Sequence, residues 1–311
     1  MRRLTTYLLI LSSLSFGGGS WLPAQNSSVD QSLSAGRFLD GVSIHPTGDE
    51  SEKKQANEIA QSLSVAPPPE IERELPALMT HLRIGGEETS RLYAALFVLM
   101  IAIRPDGAAQ LSARSDELSA LILDADPGIQ RAALAVMDYI IARPGVNNRS
   151  YLTALQTGLQ RKDTPQDAGA GMIRPLLFIG SSDSGSLKSV LTFLQRDDLT
   201  PSTRMELVHE LPDVPGLPDE VNQYLVKLLD DPDPHVRATA LVSYADSTTA
   251  YHTLGKERVQ RIANDPQEIQ GIRELAKDAI AGKTHLSPNY DLPPLVLDPN
   301  TGAMPQKPEN Q

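Results

Sequence analysis

The 311-residue chain has no cysteine, one tryptophan and few aromatic residues, and it is short of positive charge. Without cysteine there can be no disulfide, zinc–thiolate site, iron–sulfur cluster, c-type haem attachment or cysteine lipidation. Thirty-nine acids oppose 28 bases, a formal net charge of −11. Such a balance lacks the basic face that unspecific binding to nucleic acid or anionic lipid requires. An aromatic content of 5% is too low for the stacking platforms that sugars and unpaired bases use. Long apolar runs are also missing. The one candidate, near the N-terminus, falls short of the roughly 20 residues of a membrane span. What remains is 40% hydrophobic residues, enough to build a core.

Residues 1–24 read as a secretory signal peptide. Arg2 and Arg3 form a positive start, Tyr7 to Phe16 an apolar centre, and small residues lead to a cleavage point after Ala24. The only tryptophan, Trp21, lies inside this leader, so the mature chain is expected to carry none and to be periplasmic or extracellular. Residues 25–48 are rich in Ser, Gly, Asp and Asn and have no steady period, which predicts an unstructured linker. Residues 49–68 predict one short amphipathic helix and a proline-rich linker. Asp49 caps it, Glu52 completes a capping-box spacing, and Ala56, Ile59, Ala60 and Leu63 form one stripe before Pro67, Pro68 and Pro69. Residues 284–311 form a proline-rich tail, expected to be disordered and extended, with LPPLVL (Leu292 to Leu297) as its apolar cluster.

Between them, residues 69–283 show helical periodicity throughout and a self-similarity. LILDADPGIQRAALAVM, from Leu121, aligns without a gap on LLDDPDPHVRATALVSY, from Leu228. In this pairing Asp124 matches Asp231, Asp126 matches Asp233 and Pro127 matches Pro234. Asp126 and Asp233 have the chemistry of N-caps, and Pro127 and Pro234 that of the first helical residue, where a missing N–H is harmless. Ile129, Ala133 and Leu134, with Val236, Ala240 and Leu241, form the matching core stripes. A spacing of about 107 residues corresponds to three units of roughly 36. Asp265 and Pro266 are read as a further Asp-Pro turn. The pattern predicts an all-α chain, a solenoid of about six antiparallel helical hairpins.

DADPGIQRAALAV and DDPDPHVRATALVSY resemble HEAT repeats, in particular the short bacterial type shared with bilin-lyase relatives. That resemblance implies inter-unit ladders, with Asp124, Asp231 and Arg237 in this structural role. It also implies a scaffold that takes a protein or peptide partner on its concave helical face. The acidic charge favours a partner with a basic face. An enzyme or enzyme accessory of the bilin-lyase kind, and a purely structural envelope spacer, are the other functions such a chain could serve.

Little in the sequence has the spacing of catalytic chemistry. No two of the six histidines stand three or four apart on one helix. Asp230, Asp231, Asp233 and His235 crowd four potential metal ligands together, but turn and cap chemistry accounts for them, and the loop lacks EF-hand spacing. GSSDSG, from Gly180, has no strand before it, as a nucleophile elbow would need. No catalytic residue, cofactor or metal ligand is therefore expected. Phe97, Phe178 and Phe193 are expected in the core, and Tyr93, Tyr139, Tyr244 and Tyr251 along a groove.

Overall fold

The computed structural model describes residues 34–45, 47–84, 88–141, 148–180, 183–212, 214–247 and 250–286. The leader, the first part of the linker and the tail beyond residue 286 lie outside these. Among the described residues there are 15 α-helices and no strand. The chain divides into two compact units, Met1–Ala154 and Leu155–Gln311.

The first unit opens on a helix that the composition did not suggest. α1 (Ala35–Ile44) lies within the stretch read as an unstructured linker. Ser34 caps it by accepting from the Arg37 amide, and Phe38, Leu39 and Val42 are buried against α3 (Pro68–Ile84) and α4 (Glu88–Ala102). Its two glycines made it look like a loop. Gly36 is there for contact: a Cβ at that position would lie 2.9 Å from the Ala77 Cβ on α3. α2 (Glu50–Val65) follows, with Asp49 accepting from the Glu52 amide at 2.8 Å. Glu52 reaches back past the cap residue to the amides of Thr47 and Gly48, at 2.9 and 3.2 Å. Ala56, Ile59, Ala60 and Leu63 are all buried, and α2 packs on α4. The prolines after it do not form a linker. Pro68 starts α3 directly, a position where the absent N–H has no consequence.

α3 and α4 form a hairpin. Arg104, between α4 and the next helix, donates through its guanidinium to the carbonyls of Leu63 and Ala66 at 3.1 and 2.5 Å. α4 ends just before the Arg104–Pro105 step, and a short α5 (Pro105–Ser112) begins at that proline. α6 (Ser115–Leu121) and α7 (Pro127–Ile140) form the next pair, and α7 packs on α4, α5 and α6. Ile129, Ala133 and Leu134 are buried in α7. The unit boundary falls inside α8 (Asn148–Gln160).

The second unit continues with α9 (Gln166–Ile179), α10 (Ser184–Leu194), α11 (Pro201–Glu210), α12 (Asp219–Leu228), α13 (Pro234–Asp246), α14 (Ala250–Asn264) and α15 (Gln270–Ile280). α9 runs on through Pro175 to Ile179. Alternate helices stack: α9 on α11, α11 on α13, α13 on α15, and in a second layer α10 on α12 and α12 on α14. Stacking each helix on the one two positions along the chain is the arrangement of a helical-repeat α-solenoid of the HEAT and armadillo-like kind. Val236, Ala240 and Leu241 are wholly buried in α13. Gly169 is required by close approach of α10, since a Cβ there would stand 2.2 Å from the Phe193 ring.

Candidate functional site

The most regular chemistry in the molecule sits at the turns before α7, α13 and α15. Asp124 accepts from the Asp126 amide and Asp231 from the Asp233 amide, both at 2.9 Å. Asp126 and Asp233 then cap their helices. Each accepts from two amides, those of Gly128 and Ile129 at 2.7 and 3.3 Å, and those of His235 and Val236 at 2.8 and 3.3 Å. Pro127 and Pro234 stand at the first helical positions.

At the third turn the helix starts later. Asp265 accepts from the Gln267 amide at 2.8 Å, which is the bond that Asp124 and Asp231 make. α15 begins only at Gln270, with no side-chain cap. Asp265 and Pro266 therefore occupy the places of Asp231 and Pro232, not those of the cap Asp233 and Pro234. Extra residues between turn and helix separate the two functions that Asp-Pro-Asp-Pro combines.

The fourth residue of each following helix closes the turn. Gln130 donates to the Asp124 carbonyl at 2.7 Å, Arg237 to the Asp231 and Pro232 carbonyls at 2.7 and 3.1 Å, and Arg273 to the Pro266 carbonyl at 3.0 Å. The same helical position also reaches onward to the next turn. Arg91 on α4 meets Asp124 at 2.5 Å. Arg204 on α11 holds Asp231 with two bonds of 2.7 and 2.9 Å. Arg237 on α13 meets Glu268 at 2.7 Å. α9 makes its link from its first residue instead, and an uncharged one: Gln166 donates to the Asp198 carbonyl at 2.6 Å and accepts from the Thr200 amide at 2.7 Å. Asp124, Asp231 and Arg237 are thus all ladder members. Their partners Arg91, Arg204 and Glu268 lie about one unit away in sequence, where no local spacing points to them.

The Asp230–His235 cluster is taken up in this way. Asp230 pairs with Arg258, Asp231 with Arg204, and Asp233 caps α13 with His235 beside it at 3.5 Å. Among the described residues, no group of three or more His, Asp or Glu side chains is arranged to hold a metal ion.

One constellation gave no sign in the sequence. His81 on α3 places Nε2 3.1 Å from Asp40 of α1 and Nδ1 3.2 Å from Ser90 of α4. Ser43 donates to Ser90 at 2.8 Å, and Ser90 itself lies 3.3 Å from the Leu39 carbonyl. The order Asp–His–Ser is that of a hydrolase triad, but Ser90 is completely buried beneath α1, where no substrate reaches it. In this geometry the network pins α1 to α3 and α4. Glu74 of α3 adds a bond from the Ser34 hydroxyl at 3.2 Å, next to the N-terminus of α1.

Most of the tyrosines expected to line a groove are core residues. Tyr93, Tyr244 and Tyr251 are buried, and Tyr139 is half-buried. Burial, and then the Glu52 carboxylate, push the Tyr93 hydroxyl up to about 12. Burial raises Tyr224 to about 12 as well, and raises Tyr251, which donates to the Ala240 carbonyl at 2.8 Å. Asp183 caps α10, and its carboxyl is held below the usual range by the Ser186 hydroxyl and then the Ser186 amide. Phe97 and Phe193 are buried as expected. Phe178, expected in the core, is 51% exposed at the end of α9.

No described helix is long and apolar enough to cross a membrane. No protein-family model and no curated protein matches the chain. Several solved structures resemble it. One is an engineered protein at 18% identity and a TM-score of 0.42, over 80% of this chain and 67% of that one. Another is a designed armadillo repeat protein at 14% identity and a TM-score of 0.34, over 80% and 99%. A third is a designed armadillo repeat protein in complex with the peptide (KR)4, at 14% identity and a TM-score of 0.35, over 80% and 98%.

Proposed function

We propose that this chain is an exported, non-enzymatic scaffold that holds an extended, basic segment of a partner protein on its stacked second helices. One observation carries the reading. α9, α11, α13 and α15 follow one another in a layer, and the first turns of α9, α11 and α13 are each tied by a side chain to the turn before the next helix of the layer. A regular row of helices offers similar contacts at each step, which suits a ligand that is itself extended and repetitive. The net charge of −11 supports a basic ligand and sets the sign of electrostatic steering. Residues 1–24 serve as the cleaved leader, and no membrane span remains after cleavage.

Calorimetric titration with lysine- and arginine-rich peptides, beside glutamate-rich ones of equal length, tests the reading. The basic peptides are expected to bind and to weaken as salt is raised. Equal affinity for both signs, or no binding to either, refutes it. Mass analysis of the natively processed protein tests export separately. The expected N-terminus is Gln25, and with Trp21 removed the protein should show no tryptophan emission.

A further inference from the structure

Four hydrogen bonds meet in the network under α1. They join Ser43 to Ser90 at 2.8 Å, Ser90 to the Leu39 carbonyl at 3.3 Å, Ser90 to His81 Nδ1 at 3.2 Å, and His81 Nε2 to Asp40 at 3.1 Å. Each needs one hydrogen between its two heavy atoms. A carbonyl and a carboxylate have none to give, and a hydroxyl has one. The Leu39 bond therefore takes the Ser90 proton. The Ser43 bond must then take the Ser43 proton, and Ser90 meets Nδ1 only as an acceptor. Nδ1 and Nε2 must both carry hydrogen, so the four bonds together require the imidazolium. A neutral ring, with one N–H, leaves one of them unmade.

Ser90 is completely buried and the His81 side chain is 13% exposed, so water does not readily replace a lost partner. Asp40 is 69% exposed, which screens its attraction for the ring and leaves the hydrogen bonds to decide. The other charges on the helices around His81 are engaged or exposed. On α1, Arg37 and His45 are exposed. On α3, Glu74 accepts from the Ser34 hydroxyl and the Gly36 amide, and Arg83 is exposed. On α4, Arg91 holds the Leu82 carbonyl and Asp124, and Glu88 is exposed. On α5, which also packs on α3, Asp106 pairs with Arg104.

What the network fastens is α1. Leu39, Asp40 and Ser43 belong to α1, while His81 and Ser90 belong to α3 and α4 beneath it. Three of the four bonds therefore exist only with α1 seated. Lifting α1 frees the Ser90 proton for Nδ1, and the ring no longer needs its second hydrogen. Beside the network, Phe38 sits on Tyr93 and Phe97, with ring centroids 5.5 and 6.0 Å away.

We propose that α1 is a latch worked by acidity: the protonated form of His81 holds it on α3 and α4, and loss of that proton loosens it, so that Tyr93 and Phe97 are uncovered more often. Seating α1 takes up a proton wherever the unseated ring is neutral. The hold is therefore complete below about pH 6.5, the ordinary histidine value, and weakens as the pH rises above it. One hydrogen bond sets the size of the effect, about two- to tenfold in the opening equilibrium. The Phe38 seat does not depend on pH, so the change is a loosening and not a release. The latch is independent of the partner reading: it lies in the first unit, whatever the layer of the second unit binds.

Amide hydrogen exchange on the full chain tests it, with rates corrected for the pH dependence of the exchange chemistry itself. Between about pH 5.5 and 8, on either side of the ordinary histidine value, the amides of Phe38, Leu39 and Val42 should lose about two- to tenfold in protection, while those of Leu134 and Val136 in α7 keep theirs. His81→Gln should make the protection of α1 independent of pH, whatever its level. Asp40→Asn, at an exposed position, should keep α1 seated and shrink the response. Where His81→Gln leaves α1 unprotected at every pH, Asp40→Asn decides alone. Protection that does not change with pH in the unsubstituted chain overturns the proposal, as does a response that persists undiminished in either variant.

Discussion

The rung between Arg204 and Asp231 makes the energetic role of the ladder measurable. Asp231 is almost sealed, with 5% of its side chain exposed, and Arg204 retains 19%. Arg204→Met removes both guanidinium bonds and leaves the carboxylate with the Asp233 amide as a donor. An anion orphaned in such a site destabilises by about 3–5 kcal/mol. Asp231→Ala is expected to be milder, about 2–4 kcal/mol, for two reasons. Arg204 keeps the Leu199 carbonyl and some access to water, although the turn loses its Asp231–Asp233 bond. The double substitution removes both charges together and should fall below the sum of the singles, with a coupling of about 1–3 kcal/mol. Urea unfolding at neutral pH, followed by far-ultraviolet circular dichroism, gives all three values. If Arg204→Met lies within about 0.5 kcal/mol of the unsubstituted protein, or if the coupling is zero, the ladder is decoration and the reasoning fails.

Other expectations follow from the packing. Leu241→Ala opens a cavity in a fully buried stripe and should cost about 2–5 kcal/mol in the same urea assay. Asp233→Ala strips the α13 cap of its two amide bonds and should cost about 0.5–2 kcal/mol, with Asp126→Ala similar at α7. Gly169→Ala drives a methyl into the Phe193 ring. It should cost about 1–3 kcal/mol, and pairing it with Phe193→Leu should restore part of the loss in thermal unfolding. Tyrosine ionisation, read by ultraviolet difference absorbance, should leave Tyr93 and Tyr224 protonated until about pH 12. Their folded values lie above the unfolded ones, so stability is complete below about pH 10 and is lost as pH rises further. Tyr224→Phe should abolish one late-titrating group with no loss of stability, because that hydroxyl is buried without a hydrogen-bond partner.

The helix boundaries and the caps at Asp126 and Asp233 were readable because their causes are local. A cap needs an oxygen two or three residues before the amide it satisfies, and a core stripe needs a period of 3.6. α1 was hidden for the opposite reason. Gly36 is explained by Ala77, about 40 positions further on, so the sequence around it reads as a loop. The ladder was half visible. Asp124, Asp231 and Arg237 belong to a repeating string, whereas Arg91, Arg204 and Gln166 stand in strings that do not resemble one another. Gln166 shows why: it makes its link from the first residue of α9, where the arginines use the fourth of their helices, so neither residue type nor position repeats. Asp265 left its exact place open, because one dipeptide, Asp-Pro, serves either of two places in the turn. Phe178 misled because a stripe position in the last turn of a helix can point past the end of its neighbour.

The ladder also bears on how the second unit carries mechanical load. Each rung joins only adjacent members of the α9, α11, α13 and α15 layer, so tension along that layer passes in series through the junctions between successive helices, each made of a rung and the packing beside it. The yield point is then set by one link. Arg204–Asp231 and Arg237–Glu268 are ionic, while Gln166, an uncharged side chain, holds the Asp198–Thr200 turn. α9 is also packed less extensively on α11 than α11 is on α13 or α13 on α15, so under a pulling force α9 is the first to part from its neighbour, and the three helices beyond it come away still joined.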